Sequence, residues 1–583
     1  MNKRTSKQLP YGNANFKSIR TENNYAYVDK THFIEALERE SNSSQIFIRP
    51  RRFGKSLFLS TLVYYYDVNY ADEFAQLFGD LYIGQHATPR KNSYAVMEFD
   101  FSGVDTTNAE SFRNSFFNNV RHTVCRFWDH YKNIFPNAIQ IIDQINRLEQ
   151  PNFSILDWSF RVAESAGIKI FVIIDEYDHF ANDLIAMGTI MGNDFYKKMI
   201  TANGLVRDFY EKLKIVSKYG IVDRTFITGI SPVMLDDLTS GYNIADNLTL
   251  DLQYNEMLGF TPKEVEWLMD AAGIDADHVS IDMEYYYNGY QFNAEGENKV
   301  YNSTMILYFF RQLLKTSQGK IPVNLIDPNL SMDPSRLKRL IQNEDNRNTL
   351  IKIIKDGGIV SNVLEKFSID QLNNESYFIS LLFYMGLLTI KESYLSRLRL
   401  VIPNYSIQRV YWEQIRQLIE DNSHQIKMDT DLVEETTNIM AMEGDLHGFI
   451  DYVSQNAFNK LSDFDLQRFD EKYIKVLLLA YLLLNNIYIP MSEYEVNPGR
   501  VDIFLQRNPN FPQVKYEWVL ELKYCKTHAS QAEINQKRKE GLEQLNQYVH
   551  SFRLKNRSDL KFALIIFIGK DKYEIVMLDD VKQ

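Results

Sequence analysis

Over the first 250 residues, short apolar runs alternate with longer amphipathic stretches. Residues 45–48 predict a strand, 49–54 a loop and 55–66 a helix. Residues 93–101 predict a second strand, with Val96, Glu98 and Asp100 in alternation, and helical stretches follow near 108–132 and 137–166. The apolar, β-branched runs at 168–174 and 224–230 predict strands buried on both faces. Strand and helix in this alternation argue for a doubly wound parallel sheet.

From about residue 255 the pattern changes to helices joined by Tyr-rich segments. Residues 330–440 predict helices throughout, with a short strand candidate in RLRLVIPNY, and the apolar runs 377–390 and 476–484 predict buried helices. Mixed character returns at the end: a helix at 468–485, strands at 487–495, 500–506, 515–522 and 561–568, and a polar helix at 529–552. No fixed-period repeat or heptad array interrupts this order.

Composition narrows the classes. With 583 residues, 45% hydrophobic and 24% charged, the chain has material for several cores. The low content of 25 Gly and 15 Pro argues against extended disorder. Cys125 and Cys525 are too few for a disulfide framework or a four-Cys zinc site. The basic N-terminus has no apolar stretch behind it, and neither apolar run reaches bilayer length. A cytoplasmic protein without a membrane span is expected. The net charge of −12 requires any nucleic acid to meet a local patch. Residues 521–572 offer one, with 11 Lys and Arg against 6 Asp and Glu, although lysines on a solvated helix would look the same.

Two segments carry chemistry. Between a strand and a helix lies Arg49-Pro50-Arg51-Arg52-Phe53-Gly54-Lys55-Ser56, close to G-x-x-x-x-G-K-[ST] but with Arg49 in place of the first Gly. Backbone N–H groups at such a helix start favour an anion. Lys55 is placed for the β/γ-phosphates and Ser56 for Mg²⁺; with Arg52 and Gly54 these are the candidate nucleotide ligands. The strand 171–174 delivers Asp175 and Glu176 to the C-terminal sheet edge, where open α/β folds bind ligands. Asp175 would hold Mg²⁺ and Glu176 would orient or deprotonate water. Thr228, ending the next strand, is a candidate γ-phosphate contact, and a plain Thr-Gly turn explains it equally well.

The second segment holds Glu495, Asp502, Glu521 and Lys523. Period-2 geometry puts Glu521 and Lys523 on one face and Leu522 on the other. Carboxylates on adjacent strands suit a hard cation such as Mg²⁺, so Glu495, Asp502 and Glu521 are candidate ligands. Lys523 could activate water or neutralise phosphate charge. Gln544 and Tyr548 share a helix face. Glu471 could add an acid, and a surface position explains it as well.

These motifs resemble two known families. The front resembles the AAA-ATPase-like family with a phosphate loop reading RPRRFGKS, in which the missing first Gly is usual. The likeness extends over Tyr27-Val28-Asp29-Lys30-Thr31, Phe99-Asp100-Phe101-Ser102, Ile174-Asp175-Glu176-Tyr177-Asp178, Gly229-Ile230-Ser231, Leu258-Gly259-Phe260-Thr261, Tyr287-Asn288-Gly289-Tyr290 and Val300-Tyr301-Asn302. His179-Phe180 and Asn288 depart from common family residues. The end, with Ser492-Glu493, Glu495, Gly499-Arg500-x-Asp502, Glu521-x-Lys523 and Gln544-x-x-x-Tyr548, resembles the PD-(D/E)XK nuclease superfamily.

The resemblance implies a P-loop parallel sheet at 1–255, a helical lid at 256–330, a helical connecting region at 331–444 and an α/β nuclease-like domain at 445–583. It implies ATP and Mg²⁺ as cofactors, and nucleic acid, DNA in preference to RNA, as partner, with oligomerisation left open. An ATPase coupled to a Mg²⁺-dependent nuclease is the expected function. The alternative is a nucleotide-switched scaffold whose nuclease-like domain only binds.

Overall fold

A computed structural model describes residues 6–578 except 23, 136, 148–152, 166, 188–203, 236–243, 277–278, 280, 317–321, 323, 328–333, 369–370, 423–428, 459–469, 555–556 and 558. Strands β1 (Ser44–Ile48), β2 (Tyr94–Asp100), β3 (Lys169–Asp175), β4 (Val222–Gly229) and β5 (Asp246–Asn247) form one sheet in the order β2-β3-β4-β1-β5. Every pairing is parallel. Helix α1 (Lys55–Tyr66) follows β1, and α2 (Ala109–His130) follows β2 at the sheet's far edge. The chain thus leaves β1 outward and returns to fill β3 and β4, which places the loop after β1 near the end of β3. Helix α1 buries seven of its side chains, Lys55 among them, so its neighbours fix its start.

The 137–166 stretch is two helices, Ala138–Asn146 and Ser154–Ser165, rather than one. Farther on, α3 (Pro262–Ala272) starts at a capping box between Thr261 and Glu264, and α4 (Ser303–Leu313) is capped by Asn302. The connecting region holds α5 (Glu344–Asp356), α6 (Glu375–Tyr384) and α7 (Tyr405–Asn422), but the helices-only expectation there is corrected. Strands β6 (Gly358–Ser361), β7 (Thr389–Tyr394) and β8 (Arg397–Val401) form a small antiparallel sheet, β6-β8-β7. The apolar run 377–390 is divided between α6 and β7 by Gly386, whose φ of +77° ends helical geometry. Apolarity alone does not distinguish a buried helix from a buried strand.

Helix α8 (Glu471–Leu482) then leads into β9 (Tyr488–Glu495), β10 (Arg500–Arg507) and β11 (Glu517–Cys525). Helix α9 (Gln531–Val549) crosses over to β12 (Leu560–Ile568), and β13 (Lys572–Met577) returns. The order is β13-β12-β11-β10-β9, with β11 and β12 parallel and the other pairs antiparallel. The half-exposed β13 has no counterpart in the sequence reading, which ends its strands at 568. Among the described residues no helix is long and apolar enough to cross a membrane.

The Tyr-rich segment after α3 fastens the front to the connecting region. Asn404 Nδ2 donates to the carbonyls of Tyr287 and Asn288, and Ser406 Oγ to that of Tyr286. Thr389 Oγ1 accepts from the Gln291 N–H at 2.6 Å. Tyr285 and Tyr286 pack on the ring of Tyr405, a packing role consistent with their place between regions. Gly289 is required here: its φ is +114° and a Cβ would lie 2.1 Å from the Pro403 carbonyl oxygen. Gly289→Ala is expected to lower stability by about 2 kcal/mol or more, read by chemical denaturation.

Candidate functional site

The loop between β1 and α1 is shaped by two left-handed residues, Arg52 at φ +67° and Gly54 at φ +99°. Gly54 caps α1 without a side chain, and a cavity of about 390 Å³ opens over the loop. Arg52, Gly54, Lys55, Ser56 and Glu176 all line it, and Pro10, Val28, Leu258 and Leu268 give it apolar walls. Lys55 is 8% exposed, and its Nζ donates to the Arg49 and Pro50 carbonyls at 2.9 Å. Burial pulls its pKa down. Ser56 Oγ donates to Asp175 Oδ2 at 2.9 Å, joining the two residues expected to share Mg²⁺.

Asp175 is pushed up to about 6, chiefly by burial, against the opposing charge of Lys55. Glu176 moves the other way because it is paired to His179, whose Nδ1 lies 3.3 Å from Glu176 Oε2. Burial alone would lower the His179 pKa; Glu176 and Asp183, each 3.3 Å from a ring nitrogen, outweigh it and raise it. His179 thus stands at ion-pair distance from both acids beside the loop.

Two expected ligands sit differently. The Arg52 guanidinium turns to the buried carboxylate of Asp327 at 3.1 Å, which also accepts from the Tyr11 hydroxyl at 2.6 Å. Thr228 is buried and its hydroxyl donates to the Phe47 carbonyl at 2.7 Å, tying β4 to β1.

Arg49 explains why the first Gly is dispensable. Its guanidinium is 0% exposed and donates to the carbonyls of Ile48, Thr249 and Tyr254 at 2.7–3.0 Å. It lies between the rings of Phe47 and Phe292, 4.1 and 3.9 Å from their centroids. From the other side, Asn302 Nδ2, Ser303 Oγ and Thr304 Oγ1 donate to the carbonyls of Arg51, Phe53 and Arg52, and the Gly259 N–H donates to Phe53. With the loop carbonyls occupied, its N–H groups are left to face an anion. Asp178 does similar work at the end of β4, accepting from the N–H groups of Ile230 and Ser231.

In the C-terminal sheet, Asp502 Oδ2 accepts from the Leu522 N–H at 2.9 Å, locking β10 to β11. Glu521 is 2% exposed; its Oε1 accepts from Lys523 Nζ at 2.7 Å, while Oε2 is buried with no hydrogen-bond partner. Burial and Asp502 push Glu521 up to about 7. Tyr548 lies in the field of Glu521 and Asp502 and donates to the Arg500 carbonyl at 2.7 Å; Gln544 is half-buried one turn before it on α9. Glu495 pairs with Arg500 at 3.0 Å on the exposed end of the hairpin. The pairs Val501–Tyr494 and Ile503–Ser492 put Glu493, not Glu495, opposite Asp502.

Among the described residues no three His, Cys, Asp or Glu side chains gather into a metal cage. The orphaned Oε2 of Glu521 beside Asp502 nevertheless fits a cation, since Mg²⁺ is commonly held by one or two carboxylates plus water. On α8, Glu471 lies within the field of Asp502 and Lys523, so it faces the site.

Residues 10–239 match the family model described as a predicted AAA-ATPase, and residues 469–576 match that of the PD-(D/E)XK nuclease superfamily. Both resemblances hold. The uncharacterized protein in the vnfD 5′ region of Azotobacter chroococcum mcd 1 is 27% identical over 319 residues, 52% of this chain and 52% of that protein. The chain thus spans about half the length of the curated relative it matches. The Walker-type ATPase paby2304 of Pyrococcus abyssi is similar at a TM-score of 0.39 and 11% identity, covering 66% of this chain and 94% of that one.

The region matching the AAA-ATPase model thus has a loop after β1 whose carbonyls are tied back from two sides. Sequence spacing missed Arg49, Asn302–Thr304 and the His179–Glu176 contact. The quoted motifs around Gly259 and Asn302 were the available signal, because both converge on the loop. In the C-terminal sheet the missed residue is Lys475, while Glu493 was quoted within the nuclease-like motif but not among the candidate ligands.

Arg49→Gly, which restores the first Gly of the pattern, is expected to cost about 3 kcal/mol or more in denaturant unfolding, since three buried carbonyls lose their donor. Asp175→Asn has the opposite sign. A carboxyl raised from 3.8 to about 6 by folding removes stability as pH rises through that window. The Asn variant should therefore be more stable by up to about 3 kcal/mol at pH 8, with the gain vanishing near pH 4.

Proposed function

We propose that the protein is an ATPase coupled to a Mg²⁺-dependent phosphodiesterase acting on nucleic acid, DNA in preference to RNA. The observation that carries the nuclease half is the buried, unpartnered Oε2 of Glu521, whose other oxygen accepts from Lys523 and whose carboxyl lies in the field of Asp502. The ATPase half is supported by Ser56 and Asp175 in contact at the mouth of the loop. The division into 1–255, 256–330, 331–444 and 445–583 belongs to the same proposal, as does a cytoplasmic setting.

In the first module, Lys55 leaves its carbonyl partners to meet the β/γ-phosphates, and Ser56 with Asp175 holds Mg²⁺. Glu176, kept ionised by His179, orients the attacking water or takes its proton. Arg52 remains a nucleotide contact in this reading, reached by release from Asp327. In the second module, Asp502 and Glu521 hold the cation and Lys523 places its ammonium where phosphate charge develops. A bound Mg²⁺ there supplies Lewis-acid stabilisation of the phosphoryl oxygens. Gln544 and Tyr548 line the approach from α9.

The second reading, a nucleotide-switched scaffold, is favoured by one observation: the Lys475 ammonium already lies against Glu493 and 3.6 Å from Asp502. An ammonium standing where a cation would bind keeps the shape of the site without the metal that cleavage needs.

The deciding assay is cleavage of a nucleic-acid panel in Mg²⁺ or Mn²⁺, with and without ATP. Lys55→Ala should lose ATP hydrolysis by about 100-fold or more. Asp502→Ala and Lys523→Ala should lose cleavage by a similar factor while keeping ATP hydrolysis. Cleavage that persists in both variants overturns the nuclease reading, and ATP binding without cleavage by the unaltered protein selects the scaffold.

A further inference from the structure

Helix α8 is apolar and buried from Tyr473 to Leu482, with one cation in that stretch. Lys475 is 7% exposed. An ammonium is buried so deeply only where carboxylates compensate it, and its surroundings supply two. Its Nζ is ion-paired to Glu493 on β9 and stands 3.6 Å from Asp502 Oδ1 on β10. One turn earlier on the same helix face is Glu471, whose carboxyl is raised first by burial and also by Asp502.

Asp502 is therefore flanked unequally. On the Glu521 side is a buried carboxylate oxygen without a partner. On the Glu493 side an ammonium is already seated between two carboxylates. The cluster holds four carboxylates, Glu471, Glu493, Asp502 and Glu521, against two ammoniums, Lys475 and Lys523, and so carries two net negative charges when all are ionised. Lys537, which also reaches Glu471, is paired on its own helix to Glu540 at 3.0 Å. Two negative charges match one divalent cation. Two-metal sites place their ions about 3.5–4 Å apart around shared carboxylates, and here the second such place is taken by a side chain.

We propose that Lys475 is a built-in counter-ion that limits the carboxy-terminal site to a single divalent cation, held on the Glu521 side of Asp502. Lys475 is a positioning residue in this scheme: it acts through Asp502 and Glu493. The inference rests on the reading of Asp502 and Glu521 as metal ligands, and its test separates the two.

The test is a Mn²⁺ titration of the full chain by calorimetry, in an Asp175→Asn background so that the ions counted belong to the carboxy-terminal cluster. The parent protein should bind one Mn²⁺, and Asp502→Asn should abolish that binding. A unit charge about 6 Å from a divalent ion changes its affinity about tenfold even at the dielectric of water. Lys475→Met, of similar length and uncharged, should therefore bind Mn²⁺ at least about tenfold tighter or admit a second ion, while Lys475→Arg should keep one ion at near-parental affinity. Glu493→Gln leaves the ammonium to Asp502 alone and should weaken Mn²⁺ about tenfold, an opposite shift that does not depend on Lys475→Met folding well. Thermal melts identify any variant that fails to fold. Two ions in the parent, or Lys475→Met and Glu493→Gln both titrating like it, overturn the inference. Mn²⁺ binding that survives Asp502→Asn overturns the ligand assignment beneath it.

Discussion

The loop between β1 and α1 depends on a cation buried behind it. Arg49 lies wholly inside the protein, between two aromatic faces, with three backbone carbonyls in place of a carboxylate. Both terminal nitrogens of the guanidinium find acceptors, and the segments carrying them, around Thr249 and Tyr254, are thereby tied to β1. A carboxylate partner would cancel the Arg49 charge beneath the loop. Carbonyl acceptors cancel no charge, so Arg49 adds to the loop's N–H groups and Lys55.

The connecting region touches both sites. Gly386 packs its backbone against Pro50 of the loop after β1, and Asp327, just ahead of the connecting region, holds Arg52. At the other end, α5 and α7 pack on α8, with ion pairs from Lys355 to Asp470 and from Lys472 to Asp356. The helix that carries Glu471 and Lys475 into the carboxylate cluster is thus seated on the body that abuts the phosphate loop. Contact of this kind is a physical route between two sites, and it becomes a coupling only when both ends bias the same movement.

Sequence pattern revealed the parts of this arrangement that are periodic or local. The strands ending at Asp175 and Thr228, the loop at 49–56, and Asp502, Glu521 and Lys523 on neighbouring strands all follow from apolar runs and spacing. Partners distant in sequence were hidden. Nothing about residue 475 in an apolar helix announces that it will face residues 493 and 502, and nothing about Arg49 announces carbonyls two hundred residues away. Glu493 and Glu495 share one face of their strand, and spacing does not tell which meets Asp502, because register across a hairpin is set by the turn and a shift of two residues keeps the face while moving the side chain to the far end. The small sheet around β8 was hidden for a different reason: its strands are short, and β7 is fused to an apolar helix with only Gly386 between them.

The burial of α8 bears on modularity. A piece cut where the nuclease-superfamily match begins, at residue 469, would open with a helix that is buried from Tyr473 to Leu482. One side would keep β9, β10 and β11, and the side now covered by α5 and α7 would be bare. The polypeptide is therefore divisible by sequence family but not by solvent: the last domain borrows part of its core from the middle of the chain, and a recombination that moved it alone would have to bring that cover along.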